Sequence, residues 1–313
     1  MRRLAHRLWA AARLRRAGAL ARTRPLGPCP GWHFGAGEAD ATEAVTRRLA
    51  IWTRCKTTGR EQRVKIGWYD GLKVFLYLAN DTSRALYVGG CYEPNEFFFL
   101  SKVLRRGMTF VDVGANEGLY ALFAAPRVGP TGVVLAIEPS GREFARLEDN
   151  IRLNRLRNVA TFRLALFSHP GSGELAIAEG QHSGQNVLGR AIPNPQVRCQ
   201  GVERVELKRL DDLLGEVGVP RLDFLKADAE GAEKHVLAGG ERSIGTHRPL
   251  LQVEMNEAAL VAQGSSREDL FDMLRSWDYR VYRFDESGAL APAENADILE
   301  GNVIAAPVGR DIL

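Results

Sequence analysis

The sequence predicts an α/β protein built on a doubly wound, mostly parallel sheet with helices on both faces. Apolar, β-rich runs recur near 109–113, 132–137, 159–166, 222–227, 249–253, 279–284 and 302–306, with helical segments between most of them. The first run leads directly into a glycine-bearing turn and a helix, reading TFVDVGANEGLY from Thr109 to Tyr120. Acidic residues follow or end four of the runs, at Asp112, Glu138, Asp228 and Glu254, on the strand edge where open α/β sheets bind ligands.

Ahead of this core the chain divides into a basic arm over residues 1–60, rich in Arg, Ala and Leu and expected to be partly flexible, and a lead-in over 61–107. The catalytic domain is then expected over 108–313. The arm alternates arginines with Leu, Ala and Trp up to Pro25 and Pro28, the pattern of a basic amphipathic helix. Three readings fit it: a flexible tail or over-extended start, a helix lying on an anionic membrane surface or partner, and a mitochondrial presequence if the source is eukaryotic. A secretory signal does not fit, because Arg13, Arg15 and Arg16 interrupt the apolar run it needs. In the lead-in, Arg63 to Asn80 reads as two strands about the Tyr69-Asp70-Gly71 turn, and Glu96 to Arg105 as a helix.

In the first core turn Gly114 lets the backbone reverse, Asn116 tolerates unusual dihedrals, and Gly118 lets the helix start close to a ligand. A dinucleotide fingerprint needs a second glycine where this chain has Ala115 and Asn116, which disfavours a pyrophosphate. An acidic residue just before the turn suits a ligand carrying an amino group, as S-adenosylmethionine does. Gly132 to Ile137 is the second buried strand, ending at Glu138 and Pro139 about twenty residues past the turn, where an acidic side chain accepts ribose hydroxyls. Ser140 and Glu143 form a capping box for a helix whose Phe144, Leu147 and Ile151 share one face.

The interval Ser168–Lys208 is rich in Gly, Ser, Gln, Asn and Pro, with short strands at 174–178 and 202–207. Such an excursion over a ligand edge shapes a substrate pocket, with His182, Ser183, Gln185 and Asn186 as candidate contacts, or is a plain polar loop. In LDFLKADAEGAE, Leu222 to Glu233, a short strand delivers Lys226, Asp228 and Glu230 to its carboxyl end. Strand alternation puts Lys226 and Asp228 on one face, with Glu230 in the turn before Gly231. PLLQV at 249–253 ends at Glu254 on the same edge. Charges gathered at a sheet mouth are costly to bury without partners and common at sites.

These residues resemble the FkbM family of S-adenosylmethionine-dependent methyltransferases, from roughly Gly71 to Ala306. The resemblance is carried by FVDVGANEG, AIEPS, NIRLNRLRNV, LKADAEGAE and the late QVE, with GGCYEPNEFFFLSKVLRRG similar to the family's lead-in. The charged positions of the family's Lys-Ile-Asp-x-Glu-Gly match Lys226, Asp228, Glu230 and Gly231; Ala227 replaces the larger apolar residue. The resemblance implies a seven-stranded, Rossmann-like class I methyltransferase sheet, with Tyr92 and Glu93 close to the cofactor. It also implies O-methylation of sugars in glycans or of small natural products. The candidate cofactor set is Glu93, Asp112, Gly114, Ala115, Asn116, Gly118, Glu138, Pro139, Ala165, Leu166 and Asp228.

Sulfonium chemistry leaves the protein two tasks: aligning a nucleophile and removing its proton. Lys226, Asp228, Glu230 and Glu254 are the candidate catalytic residues. Either Asp228 or Glu230 is the base with Lys226 fixing the carboxylate, or Asp228 holds the cofactor's amino group and Glu230 or Glu254 serves the acceptor. A nicotinamide-dependent oxidoreductase and a non-catalytic cofactor-binding scaffold are the rival classes.

Composition sets the remaining bounds. Of 313 residues, 45% are hydrophobic, enough for one α/β core with an appendage. Eight arginines precede Glu38, so the net charge of +4 belongs to the arm and the remainder stands at about −4. That mildly acidic body, without a recognition motif, argues against nucleic acid. No apolar run reaches membrane-spanning length, so a soluble, cytoplasmic enzyme is expected. Cys29, Cys55, Cys91 and Cys199 form no C-x-x-C pair and the six histidines no ligand pattern, so no metal is expected. In a reducing compartment the Asn80-Asp81-Thr82 sequon is incidental.

Overall fold

A computed structural model describes residues 38–296 and 299–312. The described residues form two compact units, divided between Phe99 and Leu100. The amphipathic pattern before Pro25 lies outside the described residues.

In the first unit, the later part of the expected arm is an ordered helix, α1 (Glu38–Thr58), followed by the antiparallel pair β1 (Gln62–Gly67) and β2 (Lys73–Leu78). Asp70, at φ 55°, makes the turn between them. The helix is held because Trp52 and Cys55 bury against Leu78, Ala79 and Val88, and the Trp52 indole N–H donates to the Asn80 carbonyl at 3.1 Å. The Asn80 side chain accepts the Ser83 N–H at 2.7 Å and is buried, so the sequon is closed to modification. The lead-in helix is α2 (Pro94–Val103), which crosses the boundary between the units.

The second unit is the sheet the sequence predicts. Its strands are β3 (Thr109–Val113), β4 (Val133–Ile137), β5 (Val159–Phe162), β10 (Phe224–Ala227), β11 (Leu250–Met255), β12 (Tyr279–Phe284), β13 (Leu290–Pro292) and β14 (Gly301–Pro307). They lie in the order β13-β12-β14-β11-β10-β3-β4-β5. Parallel pairing runs from β5 to β11, and β14 runs antiparallel to both β11 and β12. All seven expected strands are present; β13 is an added edge. The expected 159–166 strand is two: after β5 the chain leaves the main sheet, and β6 (Ala165–Leu166) pairs with β9 (Cys199–Lys208) in a second sheet. That sheet holds the order β6-β9-β7-β8, with β7 (Gly171–Ala178) and β8 (Val187–Leu188). The polar 168–208 excursion is therefore a small sheet of its own.

Helices α3 (Leu119–Val128), α4 (Gly141–Asn154), α5 (Leu210–Val217), α6 (Glu233–Gly239), α7 (Glu241–His247), α8 (Glu257–Ala262) and α9 (Arg267–Ser276) complete the unit. Strand alternation sorts the core. Val111, Val113, Leu135, Ile137, Leu225, Ala227, Leu251 and Val253 point to one face, where they pack with Leu213, Val236, Leu237 and Leu274. Each of the buried Val, Leu and Ile side chains contributes roughly 1.5–3 kcal/mol. Phe110 and Phe224, stacked at 5.1 Å, occupy the alternate register, which also carries Asp112, Lys226 and Gln252. One sheet face is thus a continuous apolar core, while the other turns polar toward the strands' carboxyl ends.

Candidate functional site

The turn after β3 is built as the sequence predicts, for a reason it did not expose. Gly114 sits at φ 71°, and a Cβ there would overlap the carbonyl oxygen of Asp228 and lie 2.9 Å from its carbon. The glycine is required because the backbone beyond β10 crosses at that point. Gly118, at φ 90°, caps α3, and a Cβ there would meet Leu147 of α4 at 2.5 Å. The N–H groups of Gly114 and Ala115 both donate to the Ile137 carbonyl, at 3.0 and 2.9 Å. Asn116 adopts φ 48° and donates its N–H to Glu138 at 2.9 Å.

Glu138 is buried and accepts two backbone N–H groups, Asn116 on one oxygen and Ser140 on the other, the latter also at 2.9 Å. Burial pushes its proton affinity up to about 8, with the nearby Glu143 carboxylate adding to the rise. Glu138 therefore braces the turn after β3 from the end of β4, with the half-buried Pro139 beside it. The expected capping box is different in detail. Ser140 donates its hydroxyl to the Glu143 carboxylate instead of capping α4, while its own N–H is taken by Glu138. Glu143 is held further by Arg142 at 2.6 Å and Asn186 at 3.0 Å. Of the α4 face, Leu147 and Ile151 are buried and Phe144 half-buried.

Asp112 lies beneath this seat, fully buried. Its Oδ2 accepts the Ala121 N–H at 3.1 Å and its Oδ1 stands 3.5 Å from Lys226 Nζ. Burial raises its proton affinity, and the Lys226 charge opposes the rise. Lys226 is itself 2% exposed; it pairs with Asp228 at 3.1 Å and lies 4.8 Å from the centre of the Tyr120 ring. The Tyr120 hydroxyl accepts a hydrogen bond from Gln252 at 2.8 Å. Strand register explains the grouping: Lys226 lies beside Asp112 on one neighbour and Gln252 on the other.

Asp228, 24% exposed, carries this network to the surface. Here the fold joins what the sequence separates. One carboxylate oxygen each from Asp228, Glu230 and Glu254 lies within 4.8 Å of the others. No ligand spacing pointed to a metal, yet this set could be bridged by a cation or share protons. Burial raises Glu230 well above the ordinary carboxylate range, reinforced by the charges of Asp228 and Glu233. Glu254 is pushed up to about 10, again chiefly by burial and then by Asp228 and Glu230. Glu230 adopts φ 50°, and at Gly231 a Cβ would overlap the Ala259 carbonyl of α8.

The other candidates are placed differently. Ala165 and Leu166 point into packed cores, as part of β6. Glu93 belongs to the first unit, at φ 40°. The excursion does reach the turn after β3: a Cβ at Gly184 would lie 3.4 Å from the Asn116 side-chain amide. Asn186 is engaged internally, accepting the Ala178 N–H and donating to Glu143; Gln185 accepts from Asn194, and Ser183 is buried. Sequence reasoning passed over Tyr120, Gln252 and Glu233. The signals available were a polar residue at an inward position of a buried strand, Gln252, and an acidic residue closing the LKADAEGAE run, Glu233.

The family profile described as the methyltransferase FkbM domain matches residues 112–281, more than half of the chain, and the chain belongs to this family. The AMB antimetabolite synthetase AmbE of Pseudomonas aeruginosa is 28% identical over 280 residues, covering 78% of this chain but only 13% of that protein. The 2-O-methyltransferase NoeI of Sinorhizobium fredii is 28% identical over 184 residues, covering 54% of this chain and 71% of NoeI. The crystal structure of methyltransferase FkbM from Methylobacillus flagellatus aligns with a TM-score of 0.44 and 17% identity, covering 67% of this chain and 47% of that one. The methyl donor is S-adenosylmethionine. No helix among the described residues is long and apolar enough to cross a membrane.

Proposed function

We propose that this protein methylates a hydroxyl of a sugar, glycan or small natural product, with Glu230 accepting the hydroxyl proton. S-adenosylmethionine, when bound, supplies an electrophilic methyl group on a positively charged sulfur. The turn from Gly114 to Gly118 and the Glu138 carboxylate would hold it, and the 180–188 loop beside Asn116 would help exclude water. The observation that carries the reading is the convergence of Asp228, Glu230 and Glu254 within 4.8 Å of one another, with Asp228 paired to the buried Lys226 ammonium at 3.1 Å.

A base must approach the proton affinity of the group it serves, and burial moves Glu230 in that direction. Asp228 is already paired with Lys226, so it is better suited to orient Lys226 and to meet the cofactor's amino group. The name of the relative NoeI, a 2-O-methyltransferase, supports an oxygen acceptor.

The test is transfer of a labelled methyl group into fractions of cell extract, with mass analysis of the product, for the wild type and Glu230→Gln. Loss of a general base lowers turnover by about 10²–10⁴-fold, while calorimetric affinity for S-adenosylmethionine stays unchanged. Full activity of the variant would remove Glu230 from this role.

A further inference from the structure

Glu233 opens α6 and is 1% exposed, a location where a carboxylate needs a reason. Its Oε1 accepts the N–H of Ala229 at 2.7 Å and the N–H of Gly231 at 3.2 Å. These N–H groups belong to the residues on either side of Glu230. Glu230 itself holds φ 50°, a left-handed conformation that costs a residue with a Cβ roughly 1–2 kcal/mol. Such a conformation persists only where surrounding contacts over-determine it. Two contacts do so here: the Glu233 carboxylate on one side, and on the other the Ala259 carbonyl of α8, which occupies the space a Cβ at Gly231 would take.

We propose that Glu233 is the positioning residue for Glu230: it holds the N–H groups of the residues before and after Glu230 and so presents that carboxylate toward Asp228 and Glu254. Neither Lys226 nor Asp228 does this, because both act from β10 and its immediate end. The proposal rests on the reading of Glu230 as the base. Its mechanism is geometric, so an amide oxygen of equal reach serves as well as a carboxylate.

The experiment compares Glu233→Gln, Glu233→Asn and Glu233→Ala in the full chain. Gln keeps the accepting oxygen, Asn stops one methylene short, and Ala removes it. Three readouts are taken: calorimetric affinity for S-adenosylmethionine, methyl transfer into the extract fraction that the wild type labels, and backbone amide exchange at Ala229 and Gly231. Misplacement of a catalytic group by about 1 Å costs on the order of 10²-fold in turnover, which is the loss expected for Asn and Ala with cofactor affinity retained. Gln is expected to restore turnover and amide protection together. Wild-type turnover in the Asn and Ala variants, or a Gln variant as impaired as Ala, overturns the proposal. If Glu230→Gln proves fully active, the base assignment fails separately. The clamp is then judged by amide exchange alone, and unchanged protection in the Asn and Ala variants refutes it.

Discussion

Gly114→Ala tests the central packing claim, that the turn after β3 is shaped by the chain crossing it from β10. A methyl group at this position meets the Asp228 carbonyl, with its carbon at 2.9 Å, and the residue must also hold φ 71°. The left-handed conformation costs ~1–2 kcal/mol for alanine. Relieving the overlap requires the ends of β3 and β10 to part, an overpacking cost of ~1–3 kcal/mol, since the obstacle is backbone and not a movable side chain. The total, about 2–5 kcal/mol, is a large share of the 5–15 kcal/mol that stabilises a typical domain. For a unit of this size each kcal/mol lowers the melting temperature by roughly 2–4 °C, so a fall on the order of 10 °C is expected in thermal unfolding. Gly245→Ala is the matched control. Gly245 lies within α7, and nothing stands within 4 Å of its Cβ position. There the same methyl group should stabilise by ~0.5–1 kcal/mol through helix propensity. A Gly114→Ala protein that loses less than ~1 kcal/mol, or that unfolds no earlier than Gly245→Ala, would refute the reasoning.

Glu138 makes stability depend on pH. Its proton is lost near 4.5 in the unfolded chain but near 8 in the fold, so between these values the folded state holds more protons and stability falls as pH rises. Melting curves from pH 5 to 9 should show this decline, and Glu138→Gln should flatten it; an identical slope in the variant excludes Glu138 as the source. Lys226→Met strands the fully buried Asp112, at a cost of ~3–5 kcal/mol in urea unfolding, and adding Asp112→Asn should recover most of that loss. Removal of divalent cations by a chelator should leave methyl transfer intact if the Asp228, Glu230 and Glu254 carboxylates serve as proton acceptors. Loss of activity that magnesium restores would instead mean that these oxygens bridge a metal.

Most of the main sheet was legible because each strand carries its own signal. Thr109 to Val113 and Gly132 to Ile137 are apolar, β-rich and bounded by turn residues, and both appear within a residue of the expected limits. The exception is instructive. Residues 159–166 read as one strand, but the chain changes sheets at Arg163, and pairing partners as distant as Leu207 are invisible to local pattern. The helix α1 was not legible for a similar reason: it carries many charges, and the burial of Trp52 and Cys55 against Leu78, Ala79 and Val88 holds it.

By itself the sequence determined the element types and their order, the glycine turn, and which acidic residues would stand at the carboxyl edge. These follow from local propensity, from strand alternation and from spacing. Tertiary structure decided what each charge does. Asp112 became a buried partner of Lys226, Glu138 a brace for Asn116, and Glu233 a clamp around Glu230, because each role depends on atoms brought together from separate strands and turns. The same is true of Gly114. The sequence marks it as a turn, and only the crossing of Asp228 over it shows why no other residue fits.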